Sequence, residues 1–562
     1  MNHGSRTKEN YKKRWEILHT PQVSTLESLI KILLKNRGIK KESEKKAFLE
    51  PKDPMNIGLK ELGIDKESLE KAISRIDKAR KKGEHIIIYG DYDADGITGT
   101  ATLWETLHDI GVFVLPHIPE RFSEGYGLNL ESVKKLKEND PDLSLIITVD
   151  HGITAGNKVN EVKKMGIDMI ITDHHQKGKI PPEPLALIYT TKISGSALAW
   201  FFSREILKKL KVKDFESRIR ERLQMAAIGT IADQLQLIDI NRSIVKYGLP
   251  ELNKTKRPGL IGLFAESGIS EIGPYEVGFI IAPRINSMGR LRHGLESLRL
   301  LCTKDKVRGI QIANTIGKVN LERQKIVDEV VVHALSVTQE DPPKVIVLAD
   351  EKYHEGVIGL AAARLVEKFY RPAIVISKKG NVAKASARSI TGFNIIETIR
   401  KLDKYYIEGG GHPMAAGFSI KSENIEIFTK EINKLANETL TDEILQKRLR
   451  IDCQINLEII NSDLMKEILV FEPTGLGNPE PVFLTPGVEI LSAGVVGRDK
   501  KHLKLKVKDG EYIFDSIYFG GGEIYSELNS GTVVDIVYSV GENVWNGKSS
   551  IQLKIKDLRK VS

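Results

Sequence analysis

The sequence predicts a multidomain α/β chain: a doubly wound parallel-sheet domain, a long connecting helix, a second α/β domain and a C-terminal β-barrel. Three observations carry this. Apolar runs bounded by Gly, Asp and Pro ("HIIIYG", "VFVLPHI", "LSLIITVD", "DMIITDHH") alternate with amphipathic stretches such as "GLNLESVKKLKEN" and "NKVNEVKKMG". That alternation is the signature of a parallel sheet covered by helices. After a break at "QEDPPK" it returns in "KVIVLAD", "GVIGLAAARLVEKFY" and "PAIVIS". From about residue 450 the period changes to two, in "GVEILSAGVVG", "HLKLKVKDG", "YIFDSIYFG", "TVVDIVYSVGENVWNG" and "SSIQLKIKD", which suggests a small barrel.

In chain order, residues 1–60 read as a largely helical N-terminal segment and residues 61–302 as the first α/β domain, closing with helices through "ERLQMAAIGTIADQLQL". Residues 303–340 have the period and length of a connecting helix. Residues 341–445 form the second α/β domain, with the glycine-rich "EGGGHPMAAGFSI" near its end, and residues 446–562 form the barrel. At 562 residues the chain exceeds one ordinary core, in keeping with this division.

The N-terminus is charged without an apolar run behind it, and no stretch approaches the roughly 18 apolar residues of a spanning helix. The expected location is therefore cytoplasmic, away from membranes. Cys302 and Cys453 are too far apart in sequence to suggest a disulfide framework or a metal-ligand spacing, and read as ordinary thiols. The net charge of +9 suits a nucleic-acid partner without demanding one.

The chemistry concentrates after the strands. In "GDYDADG", Asp91, Asp93 and Asp95 precede Gly96, as in the start of an EF-hand loop. The twelfth position is Thr102, which supplies no bidentate carboxylate, so that reading fails. Further clusters follow in "ITVDHG" (Asp150, His151), "ITDHHQ" (Asp173, His174, His175) and "GTIADQ" (Asp233). In a parallel sheet the carboxyl ends of the strands share one edge, so the first three clusters can converge. One Asp at a strand end is usually a cap or turn residue. Several together resist joint ionisation unless a cation intervenes. Carboxylate and imidazole without thiolate favour manganese or magnesium over structural zinc. Asp173 is a candidate to orient a histidine, and His151 either supports the site or is merely exposed.

These motifs, in order and spacing, resemble those of the DHH phosphoesterase superfamily. "FIIAPRINSMGRL", "YHEGVIGLAAARLVEKFYRPAIVIS", "ASARSITGFNI", "GGGHPMAAGF", "PTGLGNPEPVF" and "VVGRDKKHLKLKV" narrow the resemblance to the RecJ-type single-stranded-DNA-specific exonuclease family, over nearly the whole chain. The resemblance implies a DHH catalytic domain, a DHH-associated (DHHA1-like) domain and an OB-like nucleic-acid-binding domain. It also implies hydrolytic removal of 5′-mononucleotides from the 5′ end of single-stranded DNA, in DNA repair and recombination. Two ions, Mn2+ or Mg2+, would be held by Asp93, Asp95, Asp150, His174 and Asp233, with Asp91 in or near that set and His175 close to the reacting phosphate.

The same resemblance gives His412 a catalytic role and makes Gly410, Gly411, Ser386, Arg388 and Arg290 substrate-binding residues. Gly409 to Gly411 would let backbone approach a phosphate, and Ser386 and Arg388 would hold a terminal one. On the OB-like domain, Lys501, His502, Lys504 and Lys506 would supply charge. Tyr512, Phe514, Tyr518 and Phe519 are candidates for base stacking, half of them expected in the core. The implied partners are single-stranded DNA, a single-strand-binding protein and a helicase.

Two features depart from the family pattern: "RHG" stands where an acidic residue usually follows "NSMGRL", and Thr474 stands where Phe is common. "IYTTKISGSALAW" is also less typical, and the further C-terminal domain of some relatives is not expected. A phosphodiesterase for short oligonucleotides, or a manganese pyrophosphatase, would not need the barrel. A catalytically inactive scaffold would be expected to have lost ligand positions, which are all filled here.

Overall fold

The computed structural model describes residues 13–338, 342–497, 499–545 and 548–561. Expectations for the charged N-terminus up to residue 12, for residues 339–341 of the "QEDPPK" break and for Arg498 lie outside the described residues. The chain divides into two compact units. One contains Lys40–Glu322 and Phe471–Pro479; the other contains the chain up to Ile39, Arg323–Val470 and the chain from Glu480.

The first described element is a strand, β1 (Arg14–Val23), where the sequence suggested helix. Its residues are mostly exposed or half-buried, so they carry little apolar signal. A distant strand in the same unit, described below, fixes its conformation.

In the Lys40–Glu322 unit, β2 (His85–Gly90), β3 (Val114–His117), β4 (Leu143–Val149), β5 (Asp168–Asp173) and β6 (Ala186–Tyr189) form a sheet of order β3-β2-β4-β5-β6. Every neighbouring pair is parallel. The helices that matter here are α1 (Ala94–Asp109), α2 (Leu130–Asn139), α3 (Lys158–Lys164), α4 (Gly195–Lys209), α5 (Phe215–Ala232), α6 (Asp239–Asn253) and α7 (Ala282–Leu291). Alternate strand residues enter different cores: Ile86, Ile88 and Ile147 pack with Trp200 and Phe201 of α4. Ile87, Tyr89 and Ile146 pack with Val133 of α2 and Val159 of α3. Both faces are thus covered, which is why these strands read as unbroken apolar runs. Each such buried side chain contributes about 1.5–3 kcal/mol.

Helix α8 (Lys306–Val337) occupies the stretch expected to be helical, and the unit boundary falls within it. In the other unit, β7 (Ile346–Asp350), β8 (Ala373–Ser377), β9 (Val382–Arg388), β10 (Tyr406–His412) and β11 (Ala415–Lys421) form a sheet of order β10-β11-β9-β8-β7, covered in part by α9 (Ile358–Phe369). Beyond it lie β12 (Arg448–Ile455), β13 (Phe483–Val496), β14 (His502–Asp509), β15 (Tyr512–Tyr518), β16 (Val533–Trp545) and β17 (Lys548–Lys560). Pairing runs β13-β14-β15-β17-β16, and β16 returns to β13, closing a five-stranded barrel. Strand β12 pairs parallel with β13, and β1 pairs parallel with β12 from Arg14↔Arg448 to Val23↔Ile455.

Candidate metal centre

The carboxyl ends of β2, β4 and β5 deliver the acidic loops to one sheet edge, and the C-terminus of α5 delivers Asp233. Asp93 caps α1, its Oδ1 accepting from the amides of Asp95 and Gly96, both at 3.0 Å. Asp95 lies in the first turn and meets the N-terminus of α4. Its Oδ2 accepts from the Gly195 amide at 2.6 Å and its Oδ1 from the Ser196 amide at 2.9 Å. Asp150 follows β4 with φ 67°, a left-handed conformation that Asp tolerates better than most side chains.

The ligating atoms then gather. His174 Nε2 lies 3.0 Å from Asp150 Oδ1, 3.6 Å from Asp233 Oδ2 and 3.7 Å from Asp95 Oδ2. One set, Asp91, Asp93 and Asp150, and another, Asp95, His174 and Asp233, each offer three ligand atoms within 4.8 Å of one another. The close packing needs absent side chains. A Cβ on Gly195 would stand 2.5 Å from Asp150 Oδ1, and one on Gly229 would stand 2.3 Å from Asp95 Oδ1.

Burial and mutual repulsion raise these carboxyl pKa values. Burial, then Asp93, pushes Asp91 well above the usual range; burial, then Asp95 and Asp93, does so for Asp150 and lifts Asp233 to about 8. Burial holds His174 below its ordinary value. Among the described residues, Asp91 Oδ1, Asp150 Oδ1 and His174 Nε2 are buried without a hydrogen bond, the 3.0 Å His174–Asp150 approach not having the geometry of one. Orphaned acceptors beside an imidazole, with hard oxygen donors and no thiolate, fit a manganese or magnesium site.

Asp173 turns away from this cluster. It accepts from His175 Nδ1 at 2.8 Å and from the Ile153 amide at 2.8 Å, fixing the His175 ring at the rim, 39% exposed. Burial opposes charge on His175, but the Asp173 hydrogen bond and the charges of Asp173, Asp233 and Asp93 together outweigh it and raise its pKa to about 9. His151 is buried, with Nε2 2.8 Å from the Tyr89 carbonyl, so it braces β2 and is not exposed.

Several participants are absent from the sequence reading. Asn286 of α7 accepts from the Ala94 amide at 2.7 Å and so steadies the acidic loop. Tyr126 Oη lies 3.4 Å from both His175 ring nitrogens. The Arg121 guanidinium lies 4.8 Å from the Tyr92 ring centre; Arg290, which the sequence did single out, is half-buried on α7 and also acts electrostatically on Tyr92. The signal for the α4 cradle was present: Ser194-Gly195-Ser196 before an apolar run is a helix N-terminus, where backbone amides bind anions.

The remaining expected residues belong to the other unit and are placed on its own sheet. Ser386 and Arg388 project from β9, with Arg388 Nη1 donating to Ser386 Oγ at 3.2 Å. A Cβ on Gly359, in the first turn of α9, would stand 3.0 Å from Ser386 Oγ and 3.1 Å from Arg388 Nη2. His412 ends β10 and is exposed. Gly410 has open space beside it, whereas Gly409 and Gly411 are needed by the hairpin. A Cβ on Gly409 would meet Phe418 Cβ at 2.6 Å, and one on Gly411, at φ 150°, would meet the Ala415 carbonyl at 2.3 Å.

On the barrel, the basic and aromatic candidates separate. Lys506 pairs with Asp515 and Lys504 with Ile517 on one face, while Val507 pairs with Phe514 and Leu503 with Tyr518 on the other. Tyr512, Phe514 and Tyr518 therefore share the face of the buried Leu503, Leu505 and Val507, opposite the lysines. Phe519, 62% exposed beside His502 with ring centres 5.3 Å apart, remains available for stacking next to Lys501.

Comparison with known proteins agrees with this layout. The DHH family N-terminal domain matches residues 85–230, the DHHA1 domain 342–438 and the RecJ OB domain 451–557. The single-stranded-DNA-specific exonuclease RecJ of Bacillus subtilis is 34% identical over 569 residues, 97% of this chain and 71% of that one. Its Thermus thermophilus counterpart is 31% identical, over 88% of this chain and 71% of that one. The crystal structure of RecJ in complex with Mn2+ from Thermus thermophilus superimposes with a TM-score of 0.80 at 28% identity, covering 98% of this chain and 80% of that one. With its DHH, DHHA1 and OB domains in this order, the chain belongs to the RecJ family of the DHH superfamily.

Proposed function

We propose that the protein is a metal-dependent exonuclease specific for single-stranded DNA, using Mn2+ or Mg2+. The observation that carries this is the pair of three-ligand sets at one sheet edge, in a chain related end to end to single-stranded-DNA-specific exonucleases. Asp91, Asp93, Asp95, Asp150, His174 and Asp233 would hold two ions. Bound there, the metal supplies an activated water and neutralises charge developing on the phosphate.

The chain's own part is positional. Asp93 spends one oxygen on the α1 amides and keeps the other for the cluster. The α4 amides fix Asp95, and Asp173 holds His175 at the rim, where a phosphoryl oxygen of the scissile bond would sit. Ser386 and Arg388 would offer a hydroxyl and a guanidinium to the 5′-terminal phosphate, and Arg290, on α7 of its own unit, would be a cationic contact for the strand. Gly410 and Gly411 give backbone to a phosphate and His412 a donor to the transition state. The proposed product is the 5′-mononucleotide, released 5′ to 3′, in repair and recombination. A single-strand-binding protein and a helicase are the proposed partners. The proposed setting is the cytoplasm; among the described residues no helix is long and apolar enough to cross a membrane.

The test is a time course with 5′- and 3′-labelled single-stranded DNA, RNA and duplex, with and without Mn2+, for wild type and Asp93→Ala. Metal-dependent release of the 5′ label as mononucleotide from single-stranded DNA, lost in the variant, is expected. Binding without cleavage under every metal condition would replace this reading with the scaffold.

A further inference from the structure

The motif "PTGLGNPEPVF" plays no part in the chemistry above, yet its first residues occupy an unusual place. Residues 471–479 fall within the RecJ OB-domain match but are folded into the Lys40–Glu322 unit, while their neighbours Val470 and Glu480 belong to the other unit. This strap is tied internally. Gly475 and Asn478 exchange backbone hydrogen bonds of 2.8 and 3.1 Å, and the buried Asn478 amide donates to the Phe471 and Pro473 carbonyls at 2.7 and 2.9 Å. Gly477 stands third in the turn with φ +78°, a conformation that favours glycine.

The strap lies on the loop that carries Asp233. After Asp233 caps α5, the chain turns through Gln234 at φ 56°, and its next long-range anchor is Leu237, whose amide donates to the Leu476 carbonyl at 2.7 Å. Contact is close along that loop. A Cβ on Gly477 would stand 2.9 Å from Gln236 Cβ, and one on Gly475 would stand 2.8 Å from Leu237 Cδ1. Just beyond the loop, the fully buried Arg242 of α6 stacks 4.1 Å from the Phe48 ring centre. It donates to the carbonyls of Phe471, Glu472 and Pro473 at 2.9, 2.9 and 3.2 Å.

One end of the Asp233 loop is thus fixed by α5 and the other by the strap. We infer that residues 471–479 are a positioning element for the metal centre, holding the Gln234–Leu237 turn so that Asp233 reaches the ligand set of Asp95 and His174. Asp233 is 30% exposed on a helix end, so the turn after it governs its carboxylate more than side-chain packing does. Gly475, Gly477, Asn478 and Arg242 serve this purpose without touching metal or DNA. The inference rests on Asp233 being a metal ligand.

The experiment is Mn2+ binding by the full-length, metal-stripped protein, read by electron paramagnetic resonance, together with the Mn2+ dependence of DNA cleavage. Four variants are compared with wild type: Gly477→Ala, Gly475→Ala, Asp233→Asn and, as control, Gly268→Ala. Gly268 has the same kind of backbone conformation, φ +69°, with nothing within 4 Å of an added Cβ. Gly477→Ala is expected to weaken Mn2+ binding about tenfold, the scale seen when supports of a metal ligand are lost, with cleavage recovering at high Mn2+. Gly268→Ala is expected to lose stability alone. Gly475→Ala carries the test if Gly477→Ala does not fold. Wild-type Mn2+ binding in a folded strap variant, with weakened binding in Asp233→Asn, overturns the inference only. Wild-type binding in Asp233→Asn overturns the ligand reading beneath it.

Discussion

The carboxylate of Asp95 and the backbone amide of Gly195 lie 2.6 Å apart, so one side chain both serves the acidic cluster and closes the amino end of a helix. Asp150 Oδ1, 3.0 Å from His174 Nε2, has no hydrogen-bond partner among the described residues. Two candidate ligands of one site therefore differ in what they contribute to the fold.

Asp95→Ala leaves two buried amides without their acceptor and is expected to destabilise the metal-free protein by about 1–3 kcal/mol. Asp150→Asn removes one charge from a crowded set and keeps a residue tolerant of φ 67°, so it is expected to be neutral or stabilising by about 1 kcal/mol. Both should abolish cleavage. Urea unfolding in chelator and a DNA-release assay check the pair.

Metal should act on stability as well as rate. An ion that binds only the folded chain stabilises it by about 2.7 kcal/mol at a hundred times its dissociation constant. The thermal midpoint should therefore rise with added Mn2+ in wild type and rise less in Asp150→Asn. A scanning-fluorimetry titration shows it.

Far from the site, Arg257 bridges Glu105 and Glu221, each at 2.7 Å, and is itself almost buried. Arg257→Met should cost about 1–3 kcal/mol, because Glu105 loses two guanidinium hydrogen bonds and keeps only the 3.4 Å contact with Arg222. Replacing Glu105 with Leu at the same time should recover part of that loss. Equilibrium unfolding of single and double variants measures the coupling.

The two faces of the β14–β15 hairpin predict different phenotypes. Lys504→Ala and Lys506→Ala should each weaken single-stranded DNA binding and lower the salt slope by about 0.7, with no change in fold. Phe514→Ala, on the core-facing side, should destabilise the barrel and affect binding only through that. Binding isotherms at several salt concentrations, paired with circular dichroism, separate the outcomes.

The catalytic sheet was legible because its strands are buried on both faces and end in charged residues: "HIIIYGD" and "LSLIITVD" state their length and their functional end at once. The convergence of Asp91, Asp150 and His174 followed from the rule that parallel strands share a carboxyl edge. Strand β1 was not legible, since its half-exposed residues gain their conformation from pairing with β12. Nor could the hairpin's faces be assigned before its register was known. Lys506 and Phe514 are near in sequence, but Lys506 opposes Asp515, and one residue of register decides which side chains meet. The roles of Asn286 and the strap depend on contacts between distant segments, which periodicity does not encode.

The pairing of β1 with β12 also sets an order of events during synthesis. The unit beginning at Lys40 has nearly all its residues once the chain reaches Glu322, but the unit that owns β1 must wait. Asn36, at the end of the helix Leu26–Asn36 that follows the strand, donates to the carbonyl and carboxylate of Asp452, 416 residues later. At about 5–20 residues per second the ribosome needs on the order of half a minute or more to supply that partner. For that interval β1 has a backbone ladder without its β12 partner. The barrel-bearing unit therefore closes after translation of the parallel sheet, and nascent β1 is a segment a chaperone would have reason to hold.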